Sequence, residues 1–205
     1  MQYLELRQSL KDFTVFSLLD IKKVDSSFDR RRLNEWQDKG YIKKVIRGYY
    51  VFSDLILEEN MLFCLANRIY SPSYVSFEMA LSYYGLIPES VYAITSAATR
   101  RTYTFKTKIA KFIYRTIKPD AFFGYSIVVH KEKSFKIATI EKAILDYLYI
   151  NPSLKSKDDF ASLRINKELF LSKVDKNKLL GFLDKFCQKR LKQRVNLLLE
   201  FLKND

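Results

Sequence analysis

Residues 14–52 read TVFSLLDIKKVDSSFDRRRLNEWQDKGYIKKVIRGYYVF, and the order of elements within them decides the fold. Ser17 is placed to cap a short helix over Leu18–Lys23, and Asp20, three residues on, completes a capping box. Asp25, Ser26 and Ser27 are turn and cap formers and break the chain there. A second helix is expected from about Phe28 to Lys39. At 100° per residue Leu33 and Trp36 share one side, with Phe28 at its edge, while Arg31, Asn34 and Asp38 take the other. Arg30 and Gln37 flank that exposed side. Arg32 falls near the apolar stripe, where its stem is expected to pack. Gly40 suits the left-handed position after a helix. Tyr41–Ile46 alternates as a strand does, with Tyr41, Lys43 and Val45 on one face and Ile42, Lys44 and Ile46 on the other. Arg47-Gly48 makes a turn and Tyr49–Phe52 returns. Helix, turn, helix and hairpin in this order predict a winged helix-turn-helix.

A module of that kind sets one helix against base edges and a hairpin against the backbone. Arginine pairs with guanine and asparagine with adenine through two hydrogen bonds each, so Arg30, Arg31 and Asn34 are the candidate base readers. Lys43, Lys44 and Arg47 suit phosphate, which adds affinity without sequence information. The formal net charge of +13 over 205 residues points the same way, because such an excess attracts polyanions. An acidic protein is the second partner that the charge allows.

Outward from this stretch, residues 3–11 predict a first helix with Tyr3, Leu4, Leu6 and Leu10 on one side, and Thr14 to Phe16 a brief strand. From Leu55 to about Tyr70 the pattern is helical again, until Pro72 ends it. Ser76 is a good cap for a helix over Phe77–Tyr84, closed by Gly85. Between 91 and 137 the chain turns β-rich, in the runs VYAITSAA, TYTFKT, KFIYRTI, YSIVVH and SFKIAT. Seven cations lie between Arg100 and Lys118 with no acid among them until Asp120, and Arg100, Arg101, Lys106 and Lys108 form a candidate second basic surface. Tyr103, Phe105, Phe112 and Tyr114 alternate through the same run. One strand face is then basic and the other aromatic. Either this is a half-buried strand with a solvated charged face, or it is a second anion surface whose aromatics could stack single-stranded bases. Thr139 opens a helix before AILDYLYI, although Glu141 stands one place early for a strict capping box. Helices follow at Asp158–Leu163, Lys167–Val174, Asp175–Lys185 and near Lys189–Lys203.

The expected fold class is therefore α+β. A winged helix-turn-helix occupies 1–54, a helical connector 55–72, a mixed α/β domain 73–150 and a helical tail 151–205. No apolar run approaches the roughly 18–20 residues of a membrane span, and MQYLELRQSLKDF lacks the core of a signal peptide, so a cytoplasmic protein is expected. Cys64 and Cys187 lie far apart in apolar helical contexts and read as buried core thiols. No close ligand pair predicts a metal site. No GxSxG or glycine cluster accompanies the single His130. Pro119-Asp120 could open a nuclease motif, but His130-Lys131-Glu132-Lys133 does not close it. Glu78, Glu141 and Asp146 have ordinary helical spacing and read as caps or ion-pair partners. No catalytic residue and no cofactor is expected.

Three blocks resemble the AbiEi-type antitoxins of type IV toxin–antitoxin systems, which act in abortive infection by phage. They are RRRLNEWQDKGYIKKVIRGYYVF at 30–52, SPSYVSFEMALSYYGLIPESVYAITSAATRRTYTF at 71–105 and IATIEKAILDYLYI at 137–150. The second and third blocks carry most of the resemblance, which covers residues 13–150. It implies a transcriptional repressor that binds double-stranded DNA at inverted repeats upstream of its own operon. It also implies an antitoxin that opposes a nucleotidyltransferase-like toxin, with direct contact not required. By position, Arg30, Arg31 and Asn34 match the helix block, Lys44, Arg47 and Tyr49 the hairpin, and Arg100 and Arg101 the basic pair. The competing readings are a winged-helix transcription factor unconnected to any toxin, and a DNA-directed nuclease.

Overall fold

The computed structural model describes residues 1–88 and 92–204; Val91, where the first β-rich run was expected to begin, lies outside the described residues. The chain is mixed α/β, with ten α-helices and two sheets among the described residues.

The amino-terminal unit opens with α1 (Tyr3–Ser9), β1 (Phe16–Ser17) and α2 (Leu18–Val24). Leu6 and Leu10 are buried, but Leu4 is 76% exposed. It lies a third of a turn off the line through Tyr3, Leu6 and Leu10, so it belongs to the wet side. At α2 the capping box forms as expected: Ser17 Oγ accepts from Asp20 N, and the Asp20 carboxylate accepts from Ser17 N at 2.8 Å. α3 (Arg31–Asp38) begins three residues later than the periodicity predicts. Its start is set by Asp29, whose Oδ1 accepts from Arg31 N at 2.9 Å. Phe28 is buried in the turn before it. Leu33 and Trp36 are buried, and each such side chain contributes about 1.5–3 kcal/mol. Arg32 lies with its guanidinium 5.6 Å from the Trp36 ring and donates to Met1 O. Gly40, at φ +71°, turns the chain out of α3.

β2 (Ile42–Ile46) and β3 (Tyr49–Phe52) form an antiparallel hairpin, and β1 adds to β3 to give the order β1-β3-β2. The pairing shifts register between Lys44 and Ile46, leaving Val45 as the extra residue of a bulge. Ile46 therefore does not share a face with Ile42. Ile42 belongs to a small apolar cluster with Leu6, Phe16, Leu33, Trp36, Tyr50 and Phe52, whereas Ile46 packs on the larger one. β3 is covered on both sides. Tyr50 and Phe52 enter the small cluster, and Val51 enters the large one together with Val15 and Val45.

The large cluster is built on a six-stranded mixed sheet. α4 (Glu59–Ile69) starts four residues later than expected and leads into β4 (Ser73–Val75), α5 (Phe77–Tyr83), β5 (Ala93–Ala98), β6 (Tyr103–Lys106) and β7 (Lys111–Thr116). A 3-10 turn at Pro119–Ala121 precedes β8 (Tyr125–His130) and β9 (Lys133–Ala138), and the sheet order is β6-β7-β5-β4-β9-β8. Adjacent residues of β7 reach opposite faces, as the pleat requires. Tyr114 Oη donates to Ala66 O of α4, and Arg115 pairs with Glu78 of α5. Phe112 and Tyr114 are buried, so those aromatics are core rather than a stacking platform.

α6 (Ile140–Ile150) and the last four helices, α7 (Lys157–Ser162), α8 (Lys167–Lys173), α9 (Lys176–Phe186) and α10 (Lys189–Asn204), complete the chain. Phe160, Phe170, Leu183, Leu191 and Leu198 from these helices belong to the same cluster as the sheet. Ser76 caps α5 by backbone position only, because its hydroxyl donates to Asp146 instead. Glu141 completes no capping box; it accepts from Lys178 and from Asp175 N. Cys64 is buried as expected, but Cys187 is exposed at the left-handed residue that ends α9.

Candidate nucleic-acid interface

Arg30, just before α3, and Arg31, Asn34 and Gln37 within it line one cleft of about 340 Å³, closed on the far side by Lys44 and Tyr50. A second cleft, of about 830 Å³, begins at Gln37 and Lys44 and runs between β2 and the turn after β6, where Lys106, Thr107, Lys108 and Ile109 form its wall. The two clefts share Gln37 and Lys44 and so adjoin, and together they are called the groove. Its lining holds six cations and no carboxylate.

The hairpin register explains how lysines reach both halves. Lys43 stands opposite Val51 and shares the face that looks toward the large sheet, and Lys44 stands opposite Tyr50 and shares the face that looks toward α3. The wall after β6 is fixed by one side chain. Thr107 Oγ1 donates to Ala110 O at 2.7 Å and accepts from Ala110 N at 3.0 Å and Ile109 N at 3.1 Å. That stitched turn holds Lys106 and Lys108 on the groove. Among the described residues, none of the six groove cations has an acidic partner within ion-pair distance. The nearest acid along α3, Glu35, is held by Lys39 at 2.7 Å.

The other expected site residues fall elsewhere. Arg47 is exposed at the hairpin turn and lines neither half of the groove. Tyr49 lines a cleft of about 560 Å³ on the opposite side of the hairpin, with Asp12, Arg68, Glu132 and Lys133. There the cations are engaged: Arg68 pairs with Asp20 at 2.8 Å, and Lys133 Nζ donates to Asp12 O at 3.0 Å. Arg100 and Arg101 lie at the other end of β6 from Lys106 and Lys108. Arg100 stacks 4.4 Å from the Tyr70 ring and donates to Ser71 O, and Arg101 sits 5.8 Å from the Tyr103 ring. The four residues of the second basic stretch are thus split, and only Lys106 and Lys108 join the α3 side. Gln37, Tyr50, Thr107 and Ile109 are among the lining residues that sequence reasoning left out of the site. Thr107 had a readable signal, a hydroxyl two residues before a lysine-flanked turn.

The strongest polar cluster outside the groove is closed. Lys142 and Asp146, one turn apart on α6 and both 0% exposed, form an ion pair. Tyr74 Oη and Ser76 Oγ each donate to Asp146 Oδ2 at 2.8 Å. Burial pushes the Asp146 carboxyl up and the Lys142 ammonium down, against their mutual attraction. None of the clefts described above is lined by these four side chains. Among the described residues no three His, Cys, Asp or Glu side chains converge on a metal-sized site. Among the described residues no helix is long and apolar enough to cross a membrane.

Compared with known protein families and with curated proteins, the chain matches none of them.

Proposed function

We propose that this chain binds double-stranded DNA through α3 and the β2–β3 hairpin, acting as a winged helix-turn-helix. The observation that carries the reading is the pair of adjoining clefts from Arg30 to Lys108, lined by six cations that have no acidic partner among the described residues. α3 spans about 12 Å, and its apolar side is seated by Leu33 and Trp36, so its other side is free to enter a major groove. In this reading Arg30, Arg31 and Asn34 read base edges, while Lys43, Lys44, Lys106 and Lys108 neutralise phosphates.

The resemblance of the blocks at 30–52, 71–105 and 137–150 supports a more specific role. The protein is then an AbiEi-type antitoxin that represses its own operon and opposes a nucleotidyltransferase-like toxin, without the two needing to touch.

Two measurements test this. Fluorescence anisotropy on the inverted repeat upstream of the gene, against a scrambled duplex, is expected to show tighter binding to the repeat. Unchanged binding by Lys44→Ala and Lys106→Ala at every salt concentration would remove the groove from the reading. A nucleotidyltransferase-like reading frame is expected beside the gene, and co-expression with it is expected to restore growth that the frame alone arrests. DNA binding without rescue leaves a transcription factor unconnected to a toxin.

A further inference from the structure

A second basic cleft lies far along the chain from the groove, where the loop after α6 meets α10. It has a volume of about 480 Å³ and is lined by Pro152, Lys155, Arg190, Gln193, Arg194 and Leu197. The four α10 residues follow the spacing i, i+3, i+4, i+7, so they form one face of the helix. The loop supplies Pro152 and Lys155 opposite them.

Arg194 is the unusual member. It is only 9% exposed, yet among the described residues its one hydrogen bond is from Nε to Leu148 O at 3.1 Å. Among the described residues no carboxylate lies within ion-pair distance of its guanidinium. A buried charge is costly unless it is paired, and among the described residues every other buried charge is paired. Arg190 stands one turn away on the same face, a like-charge pair that disfavours the empty cleft. Burial, and then Arg190, push the Arg194 guanidinium below its ordinary value. An anion in the cleft pairs the Arg194 charge and offsets the repulsion from Arg190. A single carboxylate brings one negative charge, whereas a phosphate monoester brings about 1.5–2 at neutral pH and three acceptor oxygens. Three cations, two of them planar forks, match the second.

We propose that this cleft is a phosphate-binding site, in which Arg190 and Arg194 grip the phosphate oxygens and Lys155 closes over them. The charge count favours the terminal phosphate of a free nucleotide; a nucleic-acid backbone phosphate, a diester with one charge and two free oxygens, is the weaker fit, and the test separates the two. The site is independent of the α3 groove.

Isothermal titration of the full chain with pyrophosphate and with ATP, beside anisotropy on a short duplex of arbitrary sequence, tests it. Binding of ATP or pyrophosphate at one site per chain is expected, weakened about five- to a hundredfold by Arg190→Ala or Arg194→Met. Arg190 and Lys155 are exposed, so Arg190→Ala and Lys155→Ala keep the test sound should Arg194→Met disturb packing. Arg194→Met is expected to leave the melting temperature of the ligand-free protein unchanged or higher. Lys44→Ala, in the groove, should not alter the ATP titration. If free phosphates fail to bind but the same α10 variants weaken the duplex by a similar factor, the phosphate is that of nucleic acid. The proposal falls if neither ligand binds, or if the α10 variants bind both as wild type does.

Discussion

The two clefts that flank the β2–β3 hairpin are built from similar residues and differ in how their cations are used. On one side Lys43, Lys44, Lys106 and Lys108 line a groove with no carboxylate in it. On the other, Arg68 and Lys133 share the wall with Asp12 and Glu132, and each is bound to a neighbour. A cation with a partner holds the fold together. A cation without one is left to attract something from solution, and net charge alone does not separate the two kinds.

The sharpest way to break this distinction is to take a partner away in the interior. Asp146→Ala leaves Lys142 buried without its counter-ion and is expected to lower the unfolding free energy by about 3–5 kcal/mol in urea titration. Next in size is the groove itself. Replacing Lys43, Lys44, Lys106 and Lys108 together by Ala should reduce the slope of log affinity against log salt by about 3 to 4, on any duplex. Arg68→Ala on the opposite side should leave that slope as it is. Arg31→Ala is expected to cost about 1–3 kcal/mol on the preferred sequence and much less on a scrambled one, in the same anisotropy assay.

The smallest effect concerns the paired cleft. Burial pushes the Asp20 carboxyl up, but the hydrogen bonds from Ser17 and Arg68 outweigh it and hold it below its ordinary range. A lowered pKa in the folded state stabilises the protein above the unfolded value, and this is lost as pH falls through the folded one. Stability should therefore decline from about pH 5 downward, and Asp20→Asn should flatten that part of the profile in urea titrations. Ser17→Ala, which removes the cap, should cost about 1 kcal/mol at neutral pH.

Much of the amino-terminal architecture could be read from local chemistry. Ser17 and Asp20 carry their capping box in their spacing, Leu33 and Trp36 their common side, and Gly40 its left-handed turn. The strand runs at 102–139 were equally plain, because β-branched and aromatic alternation is a local signal. Ile46 was placed on the wrong face because a bulge changes register without changing composition. The groove was legible only in halves. Arg31 and Lys44 are close in sequence, but Lys106 and Lys108 reach them through tertiary packing that periodicity does not encode. Tyr49 and Arg100 failed to join for the same reason. Arg194 gave no warning, since a lone arginine on an amphipathic helix normally snorkels to water.

The strand β3, buried on both faces, has a consequence for geometry. Val51 enters one body of packed side chains and Phe52 the other, so the strand that pairs with the hairpin's outer arm also joins the α3 core to the large sheet. A duplex that touches both must adopt the curvature they impose. Flexible pyrimidine–purine steps placed between the contacts would then favour binding at bases the protein never reaches, and stiff adenine tracts there would oppose it.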